Sequence, residues 1–558
     1  SWYWNWNQLI QYTRQVGKHN FDIMASHESQ ESQYQALSAG RTGFLSNDIF
    51  DVNAGDSKSA TNGGGTYPWA QESYLGRLNY NYDNRYLLTA TYRRDGSPYF
   101  GADKRWGSFP SVSAAWRINN EKFFNIPSIS DLKLRYEYGF TGNQGTGSGI
   151  YASMNNYATT WGTGFLPSTF TNPELQWEET KTNNAGLNLG LLNNRFTLEA
   201  DYYAKKTNNL ILNAVLPWYM GTNGTGSVGA PLVNAGALST KGWAFTINST
   251  NINTKNFRWE TNLNISHFKT TVDELYQKTP FISRTSWWMN NWTQRSYVGQ
   301  QPWLFMGYIE EGLFQSLDEI AKSPIPVDAN GNRVPVNAQT GIWVGDVKYK
   351  DINGDGKIDQ NDMTIIGNPW PKLTGGFTNT FSYKGIDLSI LIIGTYGNDV
   401  YNYIAAEASN PNNINLSRNL MVKALDYAKI TTDGNGNPVL ENPQTRVPRI
   451  SNNQLSSDNN FGKITDRFLE DGSYLRLKNV SLSYNLPARI LKSTRVIKGL
   501  KATISGQNLF TLTRYTGYDP EIGAYVGTGA QSNNQASGID FGRYPLTRMY
   551  SATINVNF

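Results

Sequence analysis

The last nine residues, Tyr550-Ser-Ala-Thr-Ile-Asn-Val-Asn-Phe558, alternate strictly between apolar and polar. Tyr550, Ala552, Ile554, Val556 and Phe558 fall on one side of a strand, and Ser551, Thr553, Asn555 and Asn557 on the other. A two-residue period builds a strand with one oily and one wet face and does not fit a helix, whose period is 3.6. Two architectures satisfy it. One is the closing strand of a soluble sandwich; the other is a membrane-spanning strand, apolar outside and polar inside.

The alternation recurs along the chain. Tyr74, Gly76, Leu78, Tyr80 and Tyr82 lead through Asp83-Asn84-Arg85 into Tyr86, Leu88, Ala90 and Tyr92. Leu187, Leu189 and Leu191 lead through Asn193-Asn194 into Phe196, Leu198, Ala200 and Tyr202. Phe257, Trp259, Thr261, Leu263 and Ile265 form another such row, and Phe377 to Tyr383 pass through Lys384-Gly385 into Ile386 to Ile392. Leu475 and Leu477 change phase to Val480, Leu482 and Tyr484, which predicts a bulge near Lys478-Asn479. About fifteen such segments are present, of roughly the length that a tilted spanning strand needs.

The connections sort by length. Short ones lie near 17–20, 83–85, 193–194, 253–256 and 384–385, with moderate ones at 119–131 and 487–499. Long ones occupy 38–68, 95–106, 143–175, 209–232, 269–371, 398–464 and 514–545. Short turns on one side and long loops on the other are the asymmetry of an outer-membrane barrel, and a soluble sandwich has no reason to show it. The first connection is short and the last strand ends the chain, so both terminal strands run inward. That parity predicts an odd number of earlier strands outside this chain, about seven for a 22-stranded transporter.

Composition permits this. The mean hydropathy is −0.51, and the most apolar stretch, Ile390-Leu-Ile-Ile393, is far too short for a membrane helix. A barrel escapes that test because only every second residue must be oily. The 33 Tyr and 17 Trp suit interfacial girdles. A net charge of +5 gives no support for nucleic-acid binding. The three His (His19, His27, His267) are dispersed, and no Cys is present, so no zinc cluster or His-based triad is expected. Glu178-Glu179 and Glu310-Glu311 are adjacent pairs that face opposite ways on a strand, so no enzyme activity is predicted.

One loop has a cation-binding pattern. Asp351, Asn353, Asp355, Lys357, Asp359 and Asp362 stand at positions 1, 3, 5, 7, 9 and 12 of a D-x-[DN]-x-[DN]-G loop. Oxygen ligands at that spacing, with the Lys357 carbonyl at position 7, can wrap Ca²⁺, and Gly356 supplies the sharp turn. Asp362 stands where Glu is usual, and its shorter arm weakens bidentate ligation. The alternative is an Asp/Asn/Gly turn that binds nothing. If bound, the cation would be structural and stiffen the loop, since catalysis needs an open coordination position.

The segment Gly345-Asp-Val-Lys-Tyr-Lys-Asp-Ile-Asn-Gly-Asp-Gly-Lys-Ile-Asp359, with Ile365-Ile-Gly-Asn-Pro369, resembles the late-barrel signature of SusC-like TonB-dependent transporters. So do Arg85-Tyr-Leu-Leu-Thr-Ala-Thr-Tyr-Arg-Arg-Asp-Gly-Ser97, Gly107 to Trp116 and Leu132 to Asn143. Gly472 to Tyr484, Gly506 to Thr513 and Gly517-Tyr-Asp-Pro-Glu521 complete a set that covers nearly the whole chain. The resemblance implies an all-β, transmembrane antiparallel β-barrel in a Gram-negative outer membrane, with 1–558 as its C-terminal portion in contact with lipid. It implies import of a glycan, oligosaccharide or peptide, energised by TonB and capped by a SusD-like surface lipoprotein. It also marks Tyr550, Ile554, Val556 and Phe558 as a C-terminal assembly signal. The family's N-terminal extension, TonB box and plug have no counterpart in this chain. An open sheet in lipid leaves unpaired edges. The expectation is therefore that an N-terminal barrel and plug segment completes the wall, either as a separate piece or as part of the same protein outside this numbering, and Phe558 marks the seam.

Substrate or lid contacts are expected in the long loops. Trp287, Trp288 and Trp292 lie together within 269–371, with Trp303 close by, and flat aromatic faces stack on sugars. Packing inside the loop or against the lid competes with that role. The 398–464 loop reads as partly helical between Ala405 and Ala428. From a different class, a secreted carbohydrate-binding β-protein with a dockerin-like calcium loop also fits the Asp351 motif.

Overall fold

The computed structural model describes residues 1–145, 150–152, 154–214, 228–286, 289–328, 330–416, 418–451, 458–491, 496–522 and 537–558. Fifteen strands form one sheet whose neighbours follow chain order. They are β1 (Trp2–Val16), β2 (His19–Gly40), β3 (Thr61–Tyr82), β4 (Tyr86–Gly96), β5 (Trp106–Arg117), β6 (Ile129–Asn143), β7 (Glu178–Leu191) and β8 (Phe196–Asn208). The remainder are β9 (Ala237–Asn253), β10 (Phe257–Glu274), β11 (Leu373–Tyr383), β12 (Ile386–Tyr396), β13 (Tyr474–Asn485), β14 (Gly499–Thr513) and β15 (Met549–Asn557). Among the described residues no helix is long and apolar enough to cross a membrane, a test that does not bear on strands. Two compact units divide the chain: 1–188 with 202–239 and 276–278, and 189–201 with 240–275 and 279–558.

In the first unit β1 to β6 pair antiparallel, and their register sets the apolar residues in rows. Tyr12, Ile23, Leu78, Ala90, Val112 and Tyr138 follow one another strand to strand. Nearer the short turns, His19, Tyr82, Tyr86 and Trp116 stand in register, with successive ring centroids 4.8, 6.3 and 6.5 Å apart. This is the girdle that interfacial aromatics form. Glu121, in the turn after β5, ties the girdle down. It accepts from Trp116 Nε1 at 2.9 Å and from Arg85 Nη1 at 3.0 Å.

The β2–β3 hairpin departs from the expected 38–68 loop. Both strands have 22 residues, and pairing continues to Gly40↔Thr61 through Gly63, Gly64 and Gly65. Backbone ladders do not need side chains, so a glycine-rich stretch that reads as loop still pairs. Each strand is about 70 Å long at 3.3 Å per residue, roughly twice what a bilayer needs.

The second unit repeats the design. Trp259, Phe381, Leu388, Leu482, Ile504 and Ala552 form one apolar row, and Leu263, Phe377, Ile392, Leu477 and Phe510 another. Ile504, Phe510 and Ile554 are 66, 60 and 71 % exposed to solvent, which is where lipid belongs. The ladder shifts between Leu477 and Asn479 on one edge of β13 and between Leu391 and Ile392 opposite the other. That is the bulge the phase change predicts, and it returns Val480, Leu482 and Tyr484 to the outward face.

The buried apolar clusters lie mostly in the connections. In the first unit Phe100, Phe109, Leu175 and Trp177 cluster, with Ile211 and Leu232 against them, joining three long connections to the sheet. The Phe109 ring occupies space that glycine leaves: a Cβ on Gly142 would lie 2.0 Å from it. Gly142→Ala is therefore expected to destabilise the protein by about 1–3 kcal/mol through overpacking. Gly76→Ala, whose Cβ meets nothing within 4 Å, is the matched control. Heat-dependent gel mobility of the two variants checks this; equal midpoints would contradict it.

Candidate functional site

In the second unit the three long connections fold into a common body. Tyr308, Phe314, Ile320, Ile342, Val347, Tyr349 and Ile358 from the first bury with Ala428 and Leu440 from the second. Phe305, Tyr401, Ile464 and Ile539 bring in the third. Residues 399–402 pair antiparallel with 469–471 and parallel with 539–540, so backbone ladders cross between connections too. Short helical turns cover Tyr403–Ala408, Pro411–Leu416 and Val422–Asp426.

Buried ion pairs lock this body. Arg449 Nε lies 2.7 Å from Asp346 Oδ1, and Asn460 Nδ2 donates to the same oxygen at 2.9 Å. Arg476, on β13 and 2 % exposed, reaches Asp519 at 2.5 Å and Glu521 at 2.6 Å and donates to Thr511 Oγ1 at 2.9 Å. This clamp holds the Gly517-Tyr-Asp-Pro-Glu521 segment against the sheet. Burial pushes the Asp519 carboxyl up, but hydrogen bonds from the Glu521 backbone and Arg476 outweigh it and leave it below the usual range. Tyr308 is pushed up to about 12, first by burial and then by the negative charge of Asp362 and Asp359.

A polar cleft of about 510 Å³ opens in the body, lined by Glu310, Glu311, Lys348, Arg446, Asp466 and Arg467 among others. Lys348 Nζ bridges Glu319 at 3.1 Å and Glu311 at 3.7 Å. Glu310 lies 3.4 Å from Arg467, and burial, only partly offset by that guanidinium, raises its carboxyl above the ordinary value. Donors and acceptors of both charges line one cleft, which suits a hydroxyl-rich or zwitterionic ligand.

The calcium-pattern loop folds as a chain of self-made caps. Asp351 accepts from the backbone N–H of Gly354 at 2.7 Å and Gly356 at 2.8 Å, and both glycines have positive φ (76° and 79°). Asp355 accepts from Lys357 N and from Asn353 Nδ2, and Asn353 Oδ1 accepts from Asp355 N. Asp359 and Asp362 form a capping box, and Asp362, fully buried, also accepts from Ile352 N at 2.9 Å. Lys357 and Ile358 pair with Ile325 and Pro326, and Ile358 enters the core. Among the described residues no three acidic or histidine side chains converge as a metal site. The caps by themselves are turn chemistry of a kind made elsewhere in the chain: Asp328 and Asp433 each accept from two backbone N–H groups, two and four residues on, where Asp351 accepts from three and five on. The donor types suit Ca²⁺, but the carboxylates face backbone N–H.

Of the aromatic candidates, Trp287 and Trp288 lie outside the described residues. The Trp292 backbone pairs with Thr285 in a hairpin. Trp303 is half-buried at a φ of 58°, its N–H bonded to Ser296 Oγ at 3.0 Å, so it sits at a tight corner of the loop. Tyr550 and Ile554 lie on the exposed row of β15, and Phe558 directly follows that strand.

A two-faced antiparallel sheet with rings at the interface and folded bodies on its long connections defines an outer-membrane β-barrel protein. The family model for the TonB-dependent receptor-like β-barrel matches residues 2–308, more than half of the chain, and the chain belongs to that family. TonB-dependent receptor P26 of Formosa agariphila is 32 % identical across 100 % of this chain and 53 % of its own length. SusC of Bacteroides thetaiotaomicron is 29 % identical across 99 % of this chain and 50 % of its own. The chain thus spans about half the length of the curated relatives it matches. A structure of the RagAB peptide importer in an open state superposes with a TM-score of 0.79 at 22 % identity, over 99 % of this chain and 54 % of that one. The chain is a SusC-like outer-membrane β-barrel protein.

Two features escaped the sequence reading. The shared loop core joins residues far apart in the chain, which periodicity cannot show. The Arg476 clamp had a signal: an arginine within an otherwise apolar strand start, and two acids spaced by two in Asp519 and Glu521. Arg476→Gln leaves Asp519 buried beside a neutral amide and is expected to cost about 3–5 kcal/mol. Its readout is faster hydrogen exchange in 515–522 with the β13–β14 ladder still protected. In the native protein a lowered Asp519 means full protection above the ordinary carboxylate value and loss only below about pH 4. Unchanged exchange in the variant would contradict the clamp.

Proposed function

We propose that this chain supplies barrel wall and an outer loop body to a TonB-energised importer of a glycan, oligosaccharide or peptide nutrient, working with a SusD-like surface lipoprotein. The observation that carries the reading is the ordered body made from three long connections, in a chain similar to SusC along nearly its whole length. A rigid body on the long-loop side offers a lid a fixed partner, and its mixed-charge cleft offers polar donors to a hydroxyl-rich or zwitterionic ligand. The RagAB structures, which are named for peptide import, keep peptide beside glycan as the substrate class. In this reading an N-terminal barrel and plug segment completes the wall and meets TonB. Trp292 and Trp303, with Trp287 and Trp288, are substrate or lid contacts in this reading. The importer is not an enzyme; its matched relatives are named as receptors or importers. Membership of an outer-membrane family sets aside the secreted carbohydrate-binding reading.

The test is uptake by cells with and without the whole protein, offered fluorescent oligosaccharides and oligopeptides. Uptake of one class that is lost on deletion, on removal of the lid gene and on collapse of the proton gradient is expected. Uptake that survives all three contradicts the reading.

The loop at Asp351 to Asp362 takes a structural Ca²⁺ in the same proposal, supported by its ligand spacing and its two left-handed glycines. Binding would stabilise the folded loop by mass action. Thermal unfolding in Ca²⁺ is expected to exceed that in chelator, and Asp351→Ala to abolish the difference. A wild-type midpoint indifferent to Ca²⁺ sinks the proposal.

A further inference from the structure

The polar face of the first unit carries an aromatic patch at its outer end. Register puts Tyr3 on β1, Ser32 and Tyr34 on β2, and Tyr67 and Trp69 on β3 on the side opposite Tyr12, Ile23 and Leu78. Tyr3 and Trp69 flank Ser32 in one row, and Tyr34 and Tyr67 are direct partners in the next. Toward the short turns the same face continues with Asn5, Gln30 and Gln71, then Asn7, Glu28 and Ser73. In an outer-membrane barrel this face meets water, so rings there gain nothing from lipid. Tyr34 stands 15 residues along β2 from His19 in the girdle, about 50 Å at 3.3 Å per residue. Even at a tilt near 45° that exceeds a hydrocarbon core of about 30 Å. The patch therefore stands at the outer mouth, above the lipid.

The rings are displayed rather than packed away. Tyr34 and Tyr67 have centroids 5.9 Å apart and planes inclined at 29°, so they overlap only in part. Tyr3, Tyr34 and Tyr67 are each more than half exposed. The Tyr67 ring lies along its strand, since a Cβ on Gly65 would come within 3.1 Å of its Cζ. Gly63 and Gly65, on the same face, extend a floor without side chains. Polar groups rim the patch. The Ser32 hydroxyl and Gln71 amide are half-buried and make no hydrogen bond among the described residues. Asn5 and Gln30 both donate to Glu28, at 3.0 and 2.6 Å. Residues 1–7, 32–40 and 61–71 contain no Asp, Glu, Lys or Arg.

We infer that this patch is a sugar platform, which binds an uncharged oligosaccharide at the outer mouth. A pyranose ring has a flat face of C–H bonds and a rim of hydroxyls. The flat face covers Tyr34 and Tyr67, whose apolar area is otherwise left in water. The rim finds Ser32, Gln71 and the tyrosine hydroxyls, which both donate and accept. The lack of charge selects the class, because an acidic or basic ligand would lose hydration there and gain no partner. A peptide is held by side-chain pockets or by adding a strand to a sheet edge, and a flat sheet face offers neither. The inference rests on the import reading for its purpose: the platform collects glycan above the pore, and so decides between glycan and peptide.

The experiment uses the full-length transporter in a detergent without sugar headgroups, titrated calorimetrically. The probes are maltohexaose, cellohexaose, xylohexaose and mannohexaose, with hexagalacturonate and a capped Gly-Ser hexapeptide as charged and peptide controls. Wild type is expected to bind at least one neutral hexasaccharide more tightly than either control. Tyr34→Ala with Tyr67→Ala should weaken that binding about tenfold. Tyr34→Phe with Tyr67→Phe should keep most of it, and Leu37→Ala, on the opposite face, should leave it unchanged. Heat-modifiable gel mobility shows the fold intact in each. Failure of every neutral hexasaccharide to bind, equal binding by the double Ala variant, or tighter binding of a control would overturn the inference. A neutral glycan that binds through these tyrosines but is not taken up by cells counts against the import reading and leaves the platform standing.

Discussion

A strand in hydrocarbon has no water to satisfy its N–H and C=O groups, so every one must pair with a neighbouring strand. That constraint explains why the sheet carries long ladders of simple neighbours in chain order, with none of the crossovers common in soluble folds. It also explains the side chains. Once the backbone is committed to pairing, each residue chooses only between lipid and the wet face, and the sequence alternates accordingly. The bulge at Leu477 to Asn479 is the exception that follows the rule: one extra residue is absorbed, and the outward row resumes in phase.

Because the outward face is solvated by lipid, the sheet does not bury a conventional core of its own. The buried apolar clusters move instead into the connections, where water returns and the hydrophobic effect operates again. Phe100, Leu175 and Trp177 do this in the first unit, and Phe305, Tyr349, Tyr401 and Ile539 in the second. The connections are consequently small folded bodies with their own ion pairs. Asp346 with Arg449, and Asp519 with Arg476, are stabilised inside them by several donors each. A body of that rigidity can hold a partner or a ligand, whereas a bare loop must first be ordered, at about 1–2 kcal/mol for each residue.

The strands were legible in the sequence because a two-residue period is local information. Tyr74 to Tyr82, Phe257 to Ile265 and Tyr550 to Val556 each carry it within nine residues. The alternation of short and long connections pointed to an outer-membrane barrel, and the family resemblance added the expectation of import. What the sequence hid was long-range or glycine-borne. Gly63 to Gly65 read as loop but pair as strand, and Gly375 and Gly394 look like weak points until their register places them side by side. The Asp351 loop shows the converse limit. Its spacing reads as a cation site, while Asp328 and Asp433 show that an Asp capping nearby backbone N–H groups is also ordinary turn chemistry.

The central claim is that alternate residues of these strands face lipid and water. Spin labels placed singly along β11, from Thr374 to Ser382, measure it directly by collision with oxygen, which partitions into lipid, and with a polar nickel chelate, which does not. Labels at 375, 377, 379 and 381 should collide with oxygen, and labels at 374, 376, 378, 380 and 382 with nickel, in strict alternation. A flat profile, or alternation in the opposite phase, would contradict the account.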